Sequence, residues 1–147
     1  METLNLQVKP QYKSDLPIKI MQFGEGNFLR GFIDWMIAKL NDKNLFNGRI
    51  LALQPTPRGR VVPKLIAQDC LYTTVLHGVV NGKDTEQIEI VNSIAKAKSP
   101  YTQWEEILED ACSPDLQFIF QIPLKPELPI PKKTFYQKKP LYPSLLN

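Results

Sequence analysis

Histidine and cysteine are nearly absent: one histidine, His77, and two cysteines, Cys70 and Cys112, in 147 residues. The cysteines lie far apart and form no CxxC pair, and one imidazole cannot complete a zinc site with them. A disulfide scaffold and a Cys/His metal centre are excluded, and no metal is expected. No apolar run approaches the ~20 residues of a membrane-spanning helix. The amino terminus, METLNLQVKPQYK, has no apolar stretch for a secretion signal, which predicts a cytoplasmic protein with no membrane partner. Excess charge is also lacking. The 18 basic and 15 acidic residues leave a formal charge of +3, too mild to imply a nucleic-acid partner. What is present is ordinary for a globular chain: 43% hydrophobic and 22% charged residues, enough for one domain with a core and short for two.

Composition changes along the chain. All 7 glycines lie between Gly24 and Gly82, whereas six of the 13 prolines fall from Pro123 onward. The last segment, residues 121–147, carries five lysines against one glutamate. Prolines at this density exclude helix and interior strand alike, so a disordered Pro/Lys-rich tail is expected. Before it, IKIMQF (Ile18–Phe23) reads as a buried strand ending at Gly24. A helix should follow, capped by Asn27, with Phe28, Phe32, Trp35, Met36 and Leu40 on an inward face. RILALQ (Arg49–Gln54) reads as a second buried strand, and Pro63–Gln68 as a short helix. Leu71–Val80 and Thr85–Val91 flank Asn81-Gly82, a strong hairpin signal. Trp104–Ala111 reads as a helix with Trp104, Ile107 and Leu108 inward, and Leu116–Phe120 as a further apolar strand. Strand–helix–strand followed by helix–strand predicts an α/β fold: a partial Rossmann-type parallel sheet with an antiparallel hairpin insertion.

The chemistry is concentrated at Phe23-Gly24-Glu25-Gly26-Asn27-Phe28-Leu29-Arg30-Gly31, between the first strand and the first helix. That is where a dinucleotide fold binds pyrophosphate. Gly24 permits a tight turn, Gly26 lets the backbone approach phosphates, and the helix N-terminus presents free N–H groups to an anion. Arg30, one turn on, would reach a phosphate or a neighbouring carboxylate. The match to G-x-G-x-x-G is incomplete, because Leu29 stands at the third glycine. The acid that normally follows the second strand and holds the ribose hydroxyls is replaced by Gln54. Arg58 and Arg60 lie nearby, so these residues alone leave NAD against NADP open, although a solvated loop is the simpler account of the arginines. His77 has no evident carboxylate or serine partner and reads as structural. Cys70 and Cys112 read as core or surface thiols. Glu105 and Glu106 suit the positive end of a helix. Trp35 and Trp104 read as helix-core anchors.

IMQFGEGNFLRGFIDWMI resembles the opening of the mannitol dehydrogenase family, in particular its tagaturonate-reducing members. The resemblance continues through LNDKNLFNGRILALQPTPRG, KLIAQDCLYTTVLHGVVNGK, IVNSI and SPYTQWEEILEDACSPDLQFIF, and covers residues 12–120. It implies an N-terminal Rossmann domain that binds NAD. The family's nucleotide segment carries over onto Ile20, Met21, Gln22, Phe23, Gly24, Glu25, Gly26, Asn27, Phe28, Leu29, Arg30 and Gly31. It further implies an oxidoreductase that interconverts tagaturonate and altronate with NAD(H), the sugar acid being a substrate of the full-length enzyme only. In that family the catalytic lysine, with the asparagine and histidine that assist it, lies in a helical C-terminal domain. No catalytic residue is therefore expected here, and the chain as printed is expected to be inactive.

The family continues after the LQFIF strand with a pattern like S-N-T-T-E-A-G-I, where this chain reads QIPLKPEL. Adding one thymine to the run that encodes Ile119-Phe120, with synonymous bases elsewhere, converts the second reading into the first. The expected organisation is thus an N-terminal extension (1–17), a truncated NAD-binding domain (18–120) and an out-of-frame tail (121–147). Alternatives are a fragment of a related fructuronate or mannitol-type polyol dehydrogenase, and a non-enzymatic binding module whose basic proline-rich tail recruits a partner.

Overall fold

The computed structural model describes residues 3–121, so all of the expected tail but its first residue lies outside the described residues; Gln121, expected to begin that disordered tail, instead ends a strand (Phe118–Gln121), because it pairs with Phe23. The core is a four-stranded parallel sheet. Its strands are β1 (Ile18–Phe23), β2 (Arg49–Leu53), β5 (Ile94–Lys98) and β6 (Phe118–Gln121). Their order across the sheet is β5-β2-β1-β6. β1 pairs with β2 from Ile18↔Arg49 to Phe23↔Leu53, and with β6 from Ile20↔Phe118 to Phe23↔Gln121. The chain thus winds outward to one side of β1, then returns and adds β6 on the other. The two halves part at the carboxyl end of β1.

Parallel strands are covered on both faces, which is why their sequences run apolar without alternation. Ile50, Leu51, Ala52 and Leu53 of β2 are all fully buried. On one face Ile20, Ile50, Ala52 and Ile94 pack with Ile37 and Ala38 of the first helix and Val62 and Leu65 of α2 (Val61–Ala67). On the other, Met21, Leu51 and Leu53 pack with Ile107 of α3 (Trp104–Ala111). Between α2 and β5 the chain forms a separate hairpin of β3 (Tyr72–Val80) and β4 (Lys83–Val91). Its turn residues, Asn81 and Gly82, both have positive φ (53° and 74°), the geometry that Asn-Gly favours in a two-residue hairpin loop.

Three expectations about packing are corrected. The first helix begins as a π-helical stretch, Leu29–Asp34, before it becomes α1 (Trp35–Asp42). The wide turn shifts the inward set to Leu29, Asp34, Ile37 and Ala38. Phe28, Phe32, Met36 and Leu40 face outward instead, with the Phe28 and Phe32 rings 5.6 Å apart. On α3 only Ile107 is buried, and Trp104 and Leu108 are exposed, because this short helix meets the sheet along a narrow line. Trp35 is half-buried and anchors through its ring nitrogen, which donates to Glu89 of the hairpin at 2.8 Å.

β5 was not expected at all. Its sequence, IAKAK, lacks a run of good strand formers. Tertiary pairing supplies the order: Ile50↔Ile94 to Leu53↔Lys98 against β2, and ion pairs from Lys98 to Glu106 (3.0 Å) and Asp110 (2.8 Å) of α3. Lys96 adds a third, to Asp110 at 2.9 Å. Arg49 ties the amino-terminal segment to this edge by donating to the carbonyls of Ser14, Asn92 and Ile94. His77 does have a carboxylate neighbour, because strand pairing places Glu86 opposite it, with Nδ1 and Oε2 3.6 Å apart on the exposed hairpin. Cys70 is buried and its thiol is pushed up to about 11 by that burial, whereas Cys112 is exposed. Among the described residues no helix is long and apolar enough to cross a membrane.

Candidate functional site

A cleft of about 550 Å³ opens at the carboxyl edge of the sheet, where the strand order reverses. Its floor is the end of β1 and the turn that follows: Phe23, Gly24, Glu25 and Gly26, with Phe28 and Leu29 of the helix start. Gln54 and Pro55 after β2 form one wall, and Pro100 and Tyr101 after β5 continue it. Gln121 at the end of β6 closes the other side. The Tyr101 hydroxyl donates to the Pro55 carbonyl at 3.2 Å and so holds two of these segments together.

Gly24 is required by its backbone. Its φ is +134°, and a Cβ there would stand 2.8 Å from Leu29 Cδ1. That contact also accounts for the leucine at the third position of the glycine pattern: Leu29 is buried against the bare face of Gly24. Gly26 is different. A Cβ on it would meet nothing within 4 Å, so its bare face borders open space. The Arg30 amide bonds the Gly26 carbonyl at 3.1 Å, which starts the helix. The amides of the first turn, at Asn27, Phe28 and Leu29, have no carbonyl one turn behind them to bond.

Arg30 does not extend toward the cleft. Its Nε donates to the Glu25 carbonyl at 3.0 Å and a terminal nitrogen donates to Asn27 Oδ1 at 2.6 Å. The guanidinium lies 5.6 Å from the Tyr72 ring centre, and the Tyr72 hydroxyl donates to the Arg30 carbonyl at 2.8 Å. The arginine thus fastens the turn from behind, and the Asn27 side chain serves that clamp in place of the expected helix cap. Burial raises the Glu25 carboxyl, against the lowering effects of a backbone hydrogen bond and of Arg30.

The remaining residues of the expected segment lie beneath or behind the cleft. Ile20 and Met21 are buried on opposite faces of the sheet. Gln22 is fully buried below the turn, where its Nε2 donates to the Gly24 carbonyl at 3.0 Å. Gly31, with Asn27 and Arg30, borders a smaller depression beside Tyr72. After β2, Gln54 is buried and its Nε2 donates to the Thr56 carbonyl at 2.7 Å. A side chain at Gly59 would collide with it, so the loop folds down on this amide. Arg58 and Arg60 are exposed. Reading by sequence missed Tyr101 and Pro100, because both follow the unrecognised strand β5, and did not single out Asp34, because a helical period of 3.6 residues gives no reason to bury it.

Residues 18–124 match the model of the mannitol dehydrogenase Rossmann domain. The chain belongs to the mannitol dehydrogenase family. Members of the family with similar sequence include altronate oxidoreductases from Halalkalibacterium halodurans and Bacillus subtilis. The first is 54% identical over 111 residues, and the second 42% over 119. These alignments take in 75% and 81% of this chain but only 22% and 24% of the relatives, so the chain spans about a quarter of their length. The fold also resembles that of Pseudomonas fluorescens mannitol 2-dehydrogenase, solved as a ternary complex with NAD and D-mannitol. The TM-score is 0.71 and the identity 17%, over 82% of this chain and 26% of that one.

Proposed function

We propose that residues 18–121 form the NAD(H)-binding domain of an oxidoreductase that interconverts tagaturonate and altronate. The observation that carries this reading is the bare face of Gly26. It borders the cleft at the point where the strand order reverses, beside the free amides of the first helical turn. In open parallel sheets this is where a dinucleotide pyrophosphate lies, held by backbone N–H groups and the positive helix end. The names of the family's similar members support the substrate. Bound NAD(H) supplies the hydride chemistry. The chain's own part is to hold the pyrophosphate at Gly24, Glu25 and Gly26 and to border the rest of the dinucleotide with Gln54 and Tyr101.

Gln54, in place of an acid, offers a neutral side chain near the expected ribose position. NAD is preferred to NADP on the strength of the NAD-bound mannitol dehydrogenase fold. Among the described residues that line the cleft, the carboxylate of Glu25 lies in the pyrophosphate turn and the Tyr101 hydroxyl is bound to the Pro55 carbonyl, so neither is placed to exchange the substrate's hydroxyl proton. The 147-residue chain is therefore expected to bind NADH without turning over tagaturonate. Incubating the purified chain with NADH and tagaturonate and following NADH absorbance tests this. Tagaturonate-dependent oxidation would refute the assignment of this segment as the cofactor half alone.

A further inference from the structure

Beneath the glycine turn lies a buried polar pair that lines no part of the cleft. Gln22 on β1 and Asp34 on the first helix are both fully buried. Gln22 Nε2 donates to two acceptors, the Gly24 carbonyl at 3.0 Å and Asp34 Oδ2 at 3.4 Å. Gln22 Oε1 and Asp34 Oδ1 have no partner among the described residues. An apolar pair of the same shape would be easier to bury, so stability does not explain these residues.

The backbone is also bent to put Asp34 there. On an unbroken α-helix Leu29 and Asp34 would point about 140° apart. The π-helical stretch, which runs from Leu29 to Asp34, leaves both of these residues buried. Insertions of this kind are concentrated at functional sites.

We propose that Asp34 is a positioning residue for dinucleotide binding: it fixes the Gln22 amide so that its NH2 holds the Gly24 carbonyl below the turn and leaves the turn's own amides facing the cleft. The inference rests on the NAD-binding reading above and adds to it the residue that sets the turn. A carboxylate only accepts, so an ionised Asp34 requires the NH2 end of Gln22 on its side, which is also the end that Gly24 needs. A protonated Asp34 can donate. Gln22 is then free to turn its oxygen toward Asp34, and two oxygens would face each other at Gly24.

Burial pushes the Asp34 carboxyl up to about 6, against the lowering effects of the Gln22 hydrogen bond and of Arg30. The groups around it are Gln22 from β1, Arg30 from its own helix and Tyr72 from β3, with Ser93 beside Tyr72. Glu25, in the turn itself, has the opposite influence on binding. Its protonation removes a negative charge from the pyrophosphate site and so favours the dinucleotide at low pH.

The experiment is a fluorescence titration of NADH into the 147-residue chain on both sides of pH 6, with amide hydrogen exchange of Glu25 and Gly26 followed in the free protein. Below that pH the wild-type affinity should fall about tenfold, the effect of losing one hydrogen bond to a charged group. Turn exchange should accelerate beyond its intrinsic pH dependence. Asp34→Asn, whose amide can donate as the protonated acid does, should bind at every pH as weakly as wild type does below pH 6, and so lose the decline. The double variant Gln22→Leu/Asp34→Leu removes both polar partners and should fold, yet bind about tenfold more weakly at every pH. A decline that persists in Asp34→Asn, full wild-type affinity of Asp34→Asn above pH 6, or a double variant that binds like wild type would overturn the proposal. Unchanged turn exchange across pH 6 would do so even without cofactor. Failure of every variant and of the wild type to bind NADH, with the exchange pattern as expected, would instead overturn the NAD-binding reading.

Discussion

Replacing Asp34 by asparagine should stabilise the protein near neutral pH and leave it unchanged in acid. Burial raises the carboxyl from an ordinary 3.8 to about 6 in the folded chain. Between those values the folded state keeps a proton that the unfolded state has released. Stability therefore falls as pH rises through this window, and above it the full cost of burying the ionised group remains. The gap between the two values corresponds to about 3 kcal/mol, an upper bound set by the equivalence of pKa and free energy. Asparagine has nearly the same shape, cannot ionise, and can bond the Gln22 amide in either of its orientations. Urea unfolding should therefore show Asp34→Asn more stable than wild type by about 2 kcal/mol at pH values well above 6, and indistinguishable from it near 3.8. An advantage of the same size at both ends, or none at either, would refute the reasoning. At neutral pH the carboxylate thus costs stability, as groups that serve a site often do.

Other expectations follow from single residues. Gly24→Ala forces a side chain onto Leu29 at a φ of +134° and should lower stability by about 2 kcal/mol, read as an earlier urea midpoint. Glu25→Gln removes the carboxylate from the pyrophosphate turn and should tighten NADH binding about fivefold, measured by titration at neutral pH. Asp110→Asn weakens the ion pairs that hold β5 to α3. Burial would raise the Asp110 carboxyl, but hydrogen bonds from Lys98 and Lys96 outweigh it and hold the group low. Its contribution is present above the ordinary carboxylate range and is lost as pH falls through the lowered value, so the variant should be destabilised at neutral pH and match wild type in strong acid. Restoring one base in the codons for Ile119-Phe120 should open a reading frame that continues S-N-T-T-E-A-G-I into a catalytic domain. Sequencing the DNA across and beyond this point checks it, and the absence of an in-frame continuation would make the printed tail native.

The parts of the fold that the sequence made legible are those where local signal and tertiary environment agree. Ile18–Phe23 is an apolar run that becomes the central strand with the same bounds, and Asn81-Gly82 makes the hairpin turn it suggested. Gly24 and Gly26 could be placed at the strand–helix junction from their spacing, and both border the cleft. β5 was invisible because alanine and lysine carry no strand signal; pairing with β2 and the grip of Glu106 and Asp110 create it. The helix face was misjudged because a 3.6-residue period was assumed across a π-helical stretch, which rotates Phe28 and Phe32 outward and Asp34 inward. Arg30 was expected to reach a phosphate or a neighbouring carboxylate because its reach was judged from sequence position, whereas the turn's own carbonyl and Asn27 take its donors.

The central claim is that the glycine turn is the dinucleotide site. Gly26 tests it cleanly, since a Cβ there meets no atom of the described residues within 4 Å. Calorimetric titration of NAD into the wild-type chain and into Gly26→Val, with urea unfolding of both, is the decisive measurement. The account predicts equal stability, weak but measurable NAD binding by the wild type, and none by the variant. Equal binding by two equally folded proteins would show that the cofactor lies elsewhere.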